Sequence, residues 1–261
     1  MGQNSKIALV TGASSGIGAA YADRLAKRGH DLVLVARRED RLREVAARAK
    51  EMHGAESEII TADLATPAGM DKVAARLEQG VTGMVNNAGF GLMAPFAEQD
   101  WARLNDMIQL NVTALTRLSH AAVGPMLAAG RGTIVNIASI VAFGGGAGSA
   151  VYAATKAYVL ALSNALADEV GGKGIRVQCV LPGLTETEFA ETAGFSWDRF
   201  PADMRMSVDA LVDAAFKGLG RGERVTIPSL GDAADYDALE DARMKLFRQG
   251  SKSAPAGRYL D

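Results

Sequence analysis

A tyrosine and a lysine lie four residues apart in Tyr152-Ala153-Ala154-Thr155-Lys156, and on a helix that spacing puts both on one face. A neighbouring ammonium stabilises phenolate, so the pair is expected to draw the tyrosine pKa down from about 10 towards working pH. Such a phenol gives a proton to a carbonyl being reduced, or takes one from an alcohol being oxidised. By itself the pair is an ordinary feature of helices. Its weight comes from company: Ser139 closes an apolar run at 133–138, Asn86-Asn87-Ala88-Gly89 closes another, Asn111 lies in the following helical stretch, and Pro182-Gly183 closes a third run.

A second chemistry-bearing segment comes early. Thr11-Gly12-Ala13-Ser14-Ser15-Gly16-Ile17-Gly18 stands between a short β-branched run and an amphipathic stretch. Glycines in a strand-to-helix turn let a phosphate reach backbone N–H groups at the positive end of the helix. The reading is a dinucleotide pyrophosphate site built from Gly12, Ser14, Ser15, Gly16, Ile17 and Gly18. An NAD site places a carboxylate about 20 residues further on, to hold the ribose 2′-hydroxyl. Here the position reads Val35-Ala36-Arg37-Arg38, without an acid. Arg37 is read as the partner of a 2′-phosphate, which makes the expected cofactor NADP(H). Arg38 serves either the same phosphate or the solvated helix face to which Arg41, Arg43 and Arg48 are assigned.

The elements that must position these residues alternate. Strand-like runs fall at 7–10, 31–36, 58–61, 83–85, 133–138, 176–180 and 224–227; helical stretches fall at 17–28, 38–52, 67–78, 101–129, 151–170 and 208–219. Strands apolar on both faces and joined by helices predict an α/β fold, a Rossmann-type doubly wound parallel sheet of about seven strands with helices on both faces. In such a sheet Ser139, Asn87, Pro182 and the glycine turn gather at the carboxyl ends of the strands, where ligands bind. One catalytic domain is expected over 1–230. A helical extension or tail follows at 231–261, in which Tyr236, Leu239, Leu246 and Phe247 share a face.

Taken in order, Thr11 to Gly18, Asp63, Asn86 to Gly89, Asn111, Ser139, Tyr152, Lys156 and Pro182 to Thr187 give a chain that resembles the short-chain dehydrogenase/reductase family over nearly all of residues 6–228. The resemblance implies Tyr152 as general acid/base and Lys156 as its electrostatic partner, also holding the nicotinamide ribose. It implies Ser139 as the donor to the substrate oxygen and Asn111 as the anchor of a water that relays protons through Lys156. Asp63 and Leu64 would flank adenine, Asn87, Ala88 and Gly89 the adenosine ribose, and Pro182, Gly183 and Leu184 with Thr187 the nicotinamide. Each has a plainer role as well: Ser139 as a strand-end cap, Asn111 as a packing residue, Asp63 as a turn former. The family also implies a homodimer or homotetramer, formed through the long helices at 101–129 and 151–170.

The substrate region is expected at 185–206, where Phe189, Phe195, Trp197, Phe200, Met204 and Met206 would form a lid over a partly apolar compound. Phe90, Leu92, Met93 and residues 141–143 would add to that wall, with Phe90 and Phe189 as substrate contacts. The alternative is ordinary packing against the sheet or another subunit. Gly144, Gly145, Gly146 and Gly148 read as a flexible part of the wall, because they do not lead from a strand into a helix start.

The bulk composition excludes several classes. Over 261 residues the hydrophobic fraction is 48%, the charged fraction 22% and the net charge -2, an ordinary globular composition without the basic patch that nucleic acid requires. The single cysteine, Cys179, forms no intramolecular disulfide and reads as an inert core thiol; His30, His53 and His120 are too scattered for a metal site. No apolar run approaches the ~20 residues needed to cross a bilayer. Residues 1–6 lack a signal-peptide layout, and Lys6 stands where a myristoylation signal wants Ser or Thr, so a loose tail and a cytoplasmic protein are expected. The expectation is an NADP(H)-dependent carbonyl reductase or alcohol dehydrogenase. Two alternatives are a catalytically silent NADPH-binding sensor or subunit, and an epimerase or dehydratase on the same fold.

Overall fold

The computed structural model describes residues 6–194 and 196–260. The tail expected at residues 1–5 and the lid residue Phe195 lie outside the described residues. The chain forms two compact units, one ending at Pro228 and one running from Ser229.

The first unit is built on a parallel seven-stranded sheet of order β3-β2-β1-β4-β5-β6-β7. Its strands are β1 (Ile7–Thr11), β2 (Asp31–Ala36), β3 (Ser57–Thr61), β4 (Gly83–Asn86), β5 (Gly132–Ile137), β6 (Ile175–Val180) and β7 (Val225–Thr226). The predicted strands are all present, within a residue or two at their ends. β7 is the shortest, and a short edge strand limits stray pairing at that side of the sheet. The central strands are buried on both faces, so each helical layer has its own core. One is centred on Leu9, Val33, Met84 and Ile134, the other on Ala8, Val10, Leu34 and Val85. Alternate residues of one strand thus feed opposite layers.

The helices are α1 (Gly16–Lys27), α2 (Glu39–His53), α3 (Pro67–Leu77), α4 (Trp101–Ile108), α5 (Leu115–Ala129), α6 (Ala150–Val170), α7 (Phe189–Ala193) and α8 (Val208–Arg221). Local chemistry sets their ends. Pro67 occupies the first turn of α3 while the Thr66 hydroxyl accepts from Gly69 N–H at 3.1 Å, and Asp100 and Ser207 cap α4 and α8 in the same way. The one helix predicted over 101–129 is interrupted. Between α4 and α5, residues Gln109–Ala114 form a π-helical segment. This segment contains Asn111, whose side chain is tied to the backbone of Phe90, and wide turns of this kind recur at functional sites.

A chain of buried amides fixes the layers to each other. Asn86 Nδ2 donates to Ser119 Oγ at 3.0 Å and to Asn136 Oδ1 at 2.9 Å, and Asn136 Nδ2 donates to Ser163 Oγ at 2.9 Å. These bonds join α5, β4, β5 and α6 across adjacent strands, where Asn86 is in register with Asn136. In a low-dielectric interior such a network fixes the rotation of α6, the helix that carries Tyr152 and Lys156.

The second unit contains α9 (Ala234–Gln249), no residue of which is buried. Leu239, Leu246 and Phe247 on it are exposed. Among the described residues no helix is long and apolar enough to cross a membrane, and no group of three or more His, Cys, Asp or Glu is placed to hold a metal ion.

Candidate active site

The sheet order places β1 beside β4, so the turns that leave them meet at the carboxyl edge. Thr11, 2% exposed, joins them: its hydroxyl donates to Val85 O at 3.3 Å and accepts from the N–H groups of Asn87 and Ala88 at 3.0 Å. Asn87 Nδ2 returns the contact, donating to Thr11 O at 3.0 Å and Gly12 O at 3.2 Å. The turn is closed to side chains from within. A Cβ on Gly12, which has φ +64°, would stand 2.7 Å from Asn87 Nδ2, and one on Gly18 would run into the Gly12 carbonyl. On the outer side, Ser15 sits at the N-cap of α1 without a side-chain bond to the leading N–H groups, the donors an anion would use. The arrangement suits an anion.

Arg38 reaches this turn, its Nη2 donating to Ser15 Oγ at 2.9 Å and to Ser14 Oγ at 3.3 Å. Arg37 is exposed and makes no side-chain hydrogen bond or ion pair among the described residues. The adenosine end is less engaged. Asp63 Oδ1 accepts from Ala65 N–H at 3.0 Å as a turn former, and the Leu64 side chain is buried in the core, leaving its backbone to line the edge. Thr187 stands across the glycine turn, with Cγ2 3.2 Å from where a Cβ on Gly16 would be.

On the other side of the edge, Tyr152 and Lys156 are 6% and 7% exposed. Lys156 Nζ lies 5.7 Å from the Tyr152 ring centroid and donates to Ile137 O at 3.0 Å. The expected lowering of the tyrosine pKa is not what this geometry gives. Burial pushes the Tyr152 phenol up to about 12, and a hydrogen bond with the Ser139 hydroxyl offsets only part of that. The lysine is directed at a backbone carbonyl and sits beside the ring, so desolvation outweighs its attraction. Burial also brings the Lys156 ammonium down to about 8. Cys179 behind it is fully buried with its thiol pushed up to about 12 by desolvation, the state of an inert thiol.

Ser139 caps the short 3₁₀ helix Ile140–Phe143, accepting from Val141 N–H at 3.4 Å and donating to Pro182 O at 3.4 Å. Both of these contacts are long, and the third partner of the hydroxyl is the Tyr152 phenol, so Ser139 faces the tyrosine across the site. Asn111 is fully committed: Nδ2 donates to Phe90 O at 2.9 Å and Thr155 Oγ1 at 3.2 Å, and Oδ1 accepts from Phe90 N–H at 3.1 Å. Its side chain holds the loop after β4 against α6. Any bound water would therefore use its backbone.

The apolar wall is partly as expected. Phe90, Leu92, Met93, Val141 and Phe189 cluster with Leu104, Met107 and Tyr152. The Phe189 ring lies 5.6 Å from the Tyr152 ring at a tilt of 43°. Of the other lid residues, Met206 packs into the core, Met204 is exposed, and Trp197 donates its indole N–H to Thr187 O at 3.3 Å. Gly91, not singled out in the sequence, forms the floor of this wall: a Cβ there would lie 2.7 Å from Phe189 Cζ and 3.3 Å from Tyr152 Cδ2. Gly91→Ala is expected to reduce kcat/KM for bulky ketones at least about tenfold, because the methyl enters the space beside Phe189 and Tyr152. Steady-state kinetics check this; unchanged kinetics would remove Gly91 from the wall.

Residues 6–195 match the family model described as short chain dehydrogenase. The chain belongs to the short-chain dehydrogenase family. It is 37% identical over 194 residues to the 3-oxoacyl-[acyl-carrier-protein] reductase FabG of Escherichia coli, covering 72% of this chain and 77% of that protein. Among solved structures it is similar to a short-chain dehydrogenase from Sphingobium yanoikuyae in complex with NADPH, with 45% identity, TM-score 0.94 and coverage of 97% and 99% of the two chains. It is also similar to the bulky-bulky ketone specific alcohol dehydrogenase from Comamonas testosteroni, with 41% identity, TM-score 0.90 and coverage of 99% and 100%. The protein is an oxidoreductase of this family with the doubly wound fold, and its close structural neighbours include NADPH and NADP complexes. Glu188, like Gly91, does not stand out in the sequence. It directly follows the Thr187 of the family pattern and accepts from both Ser15 and Arg38.

Proposed function

We propose that this short-chain dehydrogenase reduces bulky, largely apolar ketones with NADPH, using Tyr152 as the proton donor. The observation that carries the reading is the juxtaposition at one sheet edge of a buried phenol, the Ser139 hydroxyl bonded to it and an apolar wall led by Phe189. The glycine turn, the uncapped start of α1 and the guanidinium of Arg38 fit the phosphates of NADP(H). When bound, that cofactor supplies the hydride. Ser139 then holds and polarises the substrate oxygen, and Tyr152 Oη transfers its proton to that oxygen as negative charge develops there. A phenol kept protonated by burial holds the proton that ketone reduction consumes. Lys156 supplies positive charge behind the tyrosine as it becomes phenolate, and Asn111 fixes the loop that carries Phe90. The wall around Tyr152 excludes water from the transfer.

Support for the substrate class comes from the site and from the ketone specificity in the Comamonas enzyme's description. A second reading, a 3-oxoacyl thioester reductase, is supported by the likeness to the Escherichia coli protein. Hydride transfer is tested by supplying NADPH deuterated at the nicotinamide C4 with a bulky aryl ketone. Deuterium on the carbinol carbon is the expected product, whereas alcohol formation without it, or no alcohol, would refute the reading. For the cofactor, Arg38→Ala is expected to weaken NADPH about 10- to 100-fold and NADH by less than about threefold, with Arg37→Ala the milder change. Fluorescence titration measures both. A larger loss in Arg37→Ala would return the 2′-phosphate to that residue.

A further inference from the structure

Adjacent residues at the start of α7 touch both halves of the site. Glu188 Oε2 accepts from Arg38 Nη2 at 2.8 Å and from Ser15 Oγ at 3.0 Å. Its carboxylate therefore stands at the uncapped start of α1, on the very donors assigned above to the cofactor's phosphates. Those bonds, Arg38 first and Ser15 second, hold it well below the usual carboxylate range, and Arg41 adds to the positive field. It is an anion at an anion site. The next residue, Phe189, has its ring against Tyr152 and its Cζ within reach of the floor at Gly91. A short helix and the bond from Phe189 N–H to Thr187 Oγ1 at 3.2 Å keep the two side chains in fixed relation.

We propose that Glu188 is a built-in competitor for the cofactor's phosphates, and that its displacement from Arg38 and Ser15 draws Phe189 off Tyr152. Cofactor entry then uncovers the catalytic phenol to substrate. In the free protein the same pair of residues closes the dinucleotide site and caps the tyrosine. A ketone thus meets an open Tyr152 only after the phosphate donors have changed partners. Glu188 acts as a positioning residue, through Phe189, and touches no reacting atom. This inference rests on the NADP(H) reading of the glycine turn and deepens it.

The probe is 2′,5′-ADP, which carries the phosphates without the nicotinamide. It is titrated by calorimetry into the full-length wild type, Glu188→Gln and Glu186→Gln. Glu186 makes a fair control, being an acid two residues away that pairs with Arg205 at 3.1 Å and not with Arg38. Glu188→Gln is expected to bind 2′,5′-ADP about 3- to 10-fold more tightly than wild type, and Glu186→Gln to bind as wild type does. A second readout follows the loop through Trp197, whose indole is bonded to Thr187 O, in a Trp101→Phe background. Ligand should shift its emission in the wild type, and the unliganded Glu188→Gln protein should already show much of that shift. Equal or weaker binding by Glu188→Gln, the same gain in Glu186→Gln, or Trp197 emission insensitive to 2′,5′-ADP would overturn the latch while leaving the cofactor reading standing. Failure of every protein to bind 2′,5′-ADP would overturn both.

Discussion

Tyr152→Phe is expected to lower kcat for ketone reduction by about 10³-fold, with NADPH affinity within about twofold of wild type and the thermal midpoint unchanged or slightly raised. The substitution removes one oxygen from a side chain that is 6% exposed and keeps the ring that packs on Phe189. Nothing else in the wall needs to move. What disappears is the proton that must reach the substrate oxygen as the hydride arrives, and with it the hydrogen bond to Ser139. Ser139 keeps its bonds to Pro182 O and Val141 N–H, so losing the tyrosine partner leaves no unpaired hydroxyl and costs little stability. Stopped-flow turnover and a fluorescence titration separate the two effects. Undiminished turnover would refute the proposed chemistry, and a collapse in NADPH affinity would make Tyr152 a binding residue instead.

Lys156→Met should separate activity from stability in opposite directions. Activity is expected to fall at least about 10²-fold, because the positive charge behind the phenolate is lost. Stability at neutral pH is expected to rise by about 2 kcal/mol, since an ammonium only 7% exposed is replaced by an apolar chain of similar length. The lost bond to Ile137 O offsets part of the gain. The sign of the pH dependence follows from burial. With a folded pKa of about 8 against an ordinary 10.5, the unfolded chain holds more protons than the folded one between those values. Wild-type stability from this group therefore rises with pH through that window, and below pH 8 the full burial penalty is present. The advantage of Lys156→Met should be largest near pH 7 and gone above about pH 10.5. Denaturant unfolding at several pH values checks this; a variant less stable than wild type at pH 7 would show that the charge is better solvated than its burial implies.

The strands and most helices were legible because a parallel sheet covered on both sides demands apolar runs, and helices between them demand longer mixed ones. The break between α4 and α5 was not, because it coincides with a bond from Asn111 to Phe90, 21 residues away, and local periodicity carries no trace of such a contact. Arg37 and Arg38 differ by one residue of helix boundary: α2 starts at Glu39, one residue after the predicted start, so Arg38 is its extended N-cap and reaches back to Ser14 and Ser15. The family motifs single out Ser139, Tyr152 and Lys156 as candidates, but not the direction of the tyrosine's pKa shift. That direction depends on how dry the site is and on which acceptor the lysine chooses. Glu188 was invisible for a related reason: an acid in an irregular loop becomes meaningful only when folding sets it on an arginine 150 residues earlier.

The central claim is that the buried phenol and its apolar wall serve a bulky ketone. The most direct measurement is kcat/KM for NADPH oxidation by the purified protein across four substrate types: bulky aryl ketones, small ketones, charged keto-sugars and 3-oxoacyl thioesters. Bulky aryl ketones are expected to exceed each other group by at least about tenfold, and Tyr152→Phe to abolish the signal. Preferred turnover of a sugar or a thioester, or no NADPH consumption with any of them, would contradict the claim.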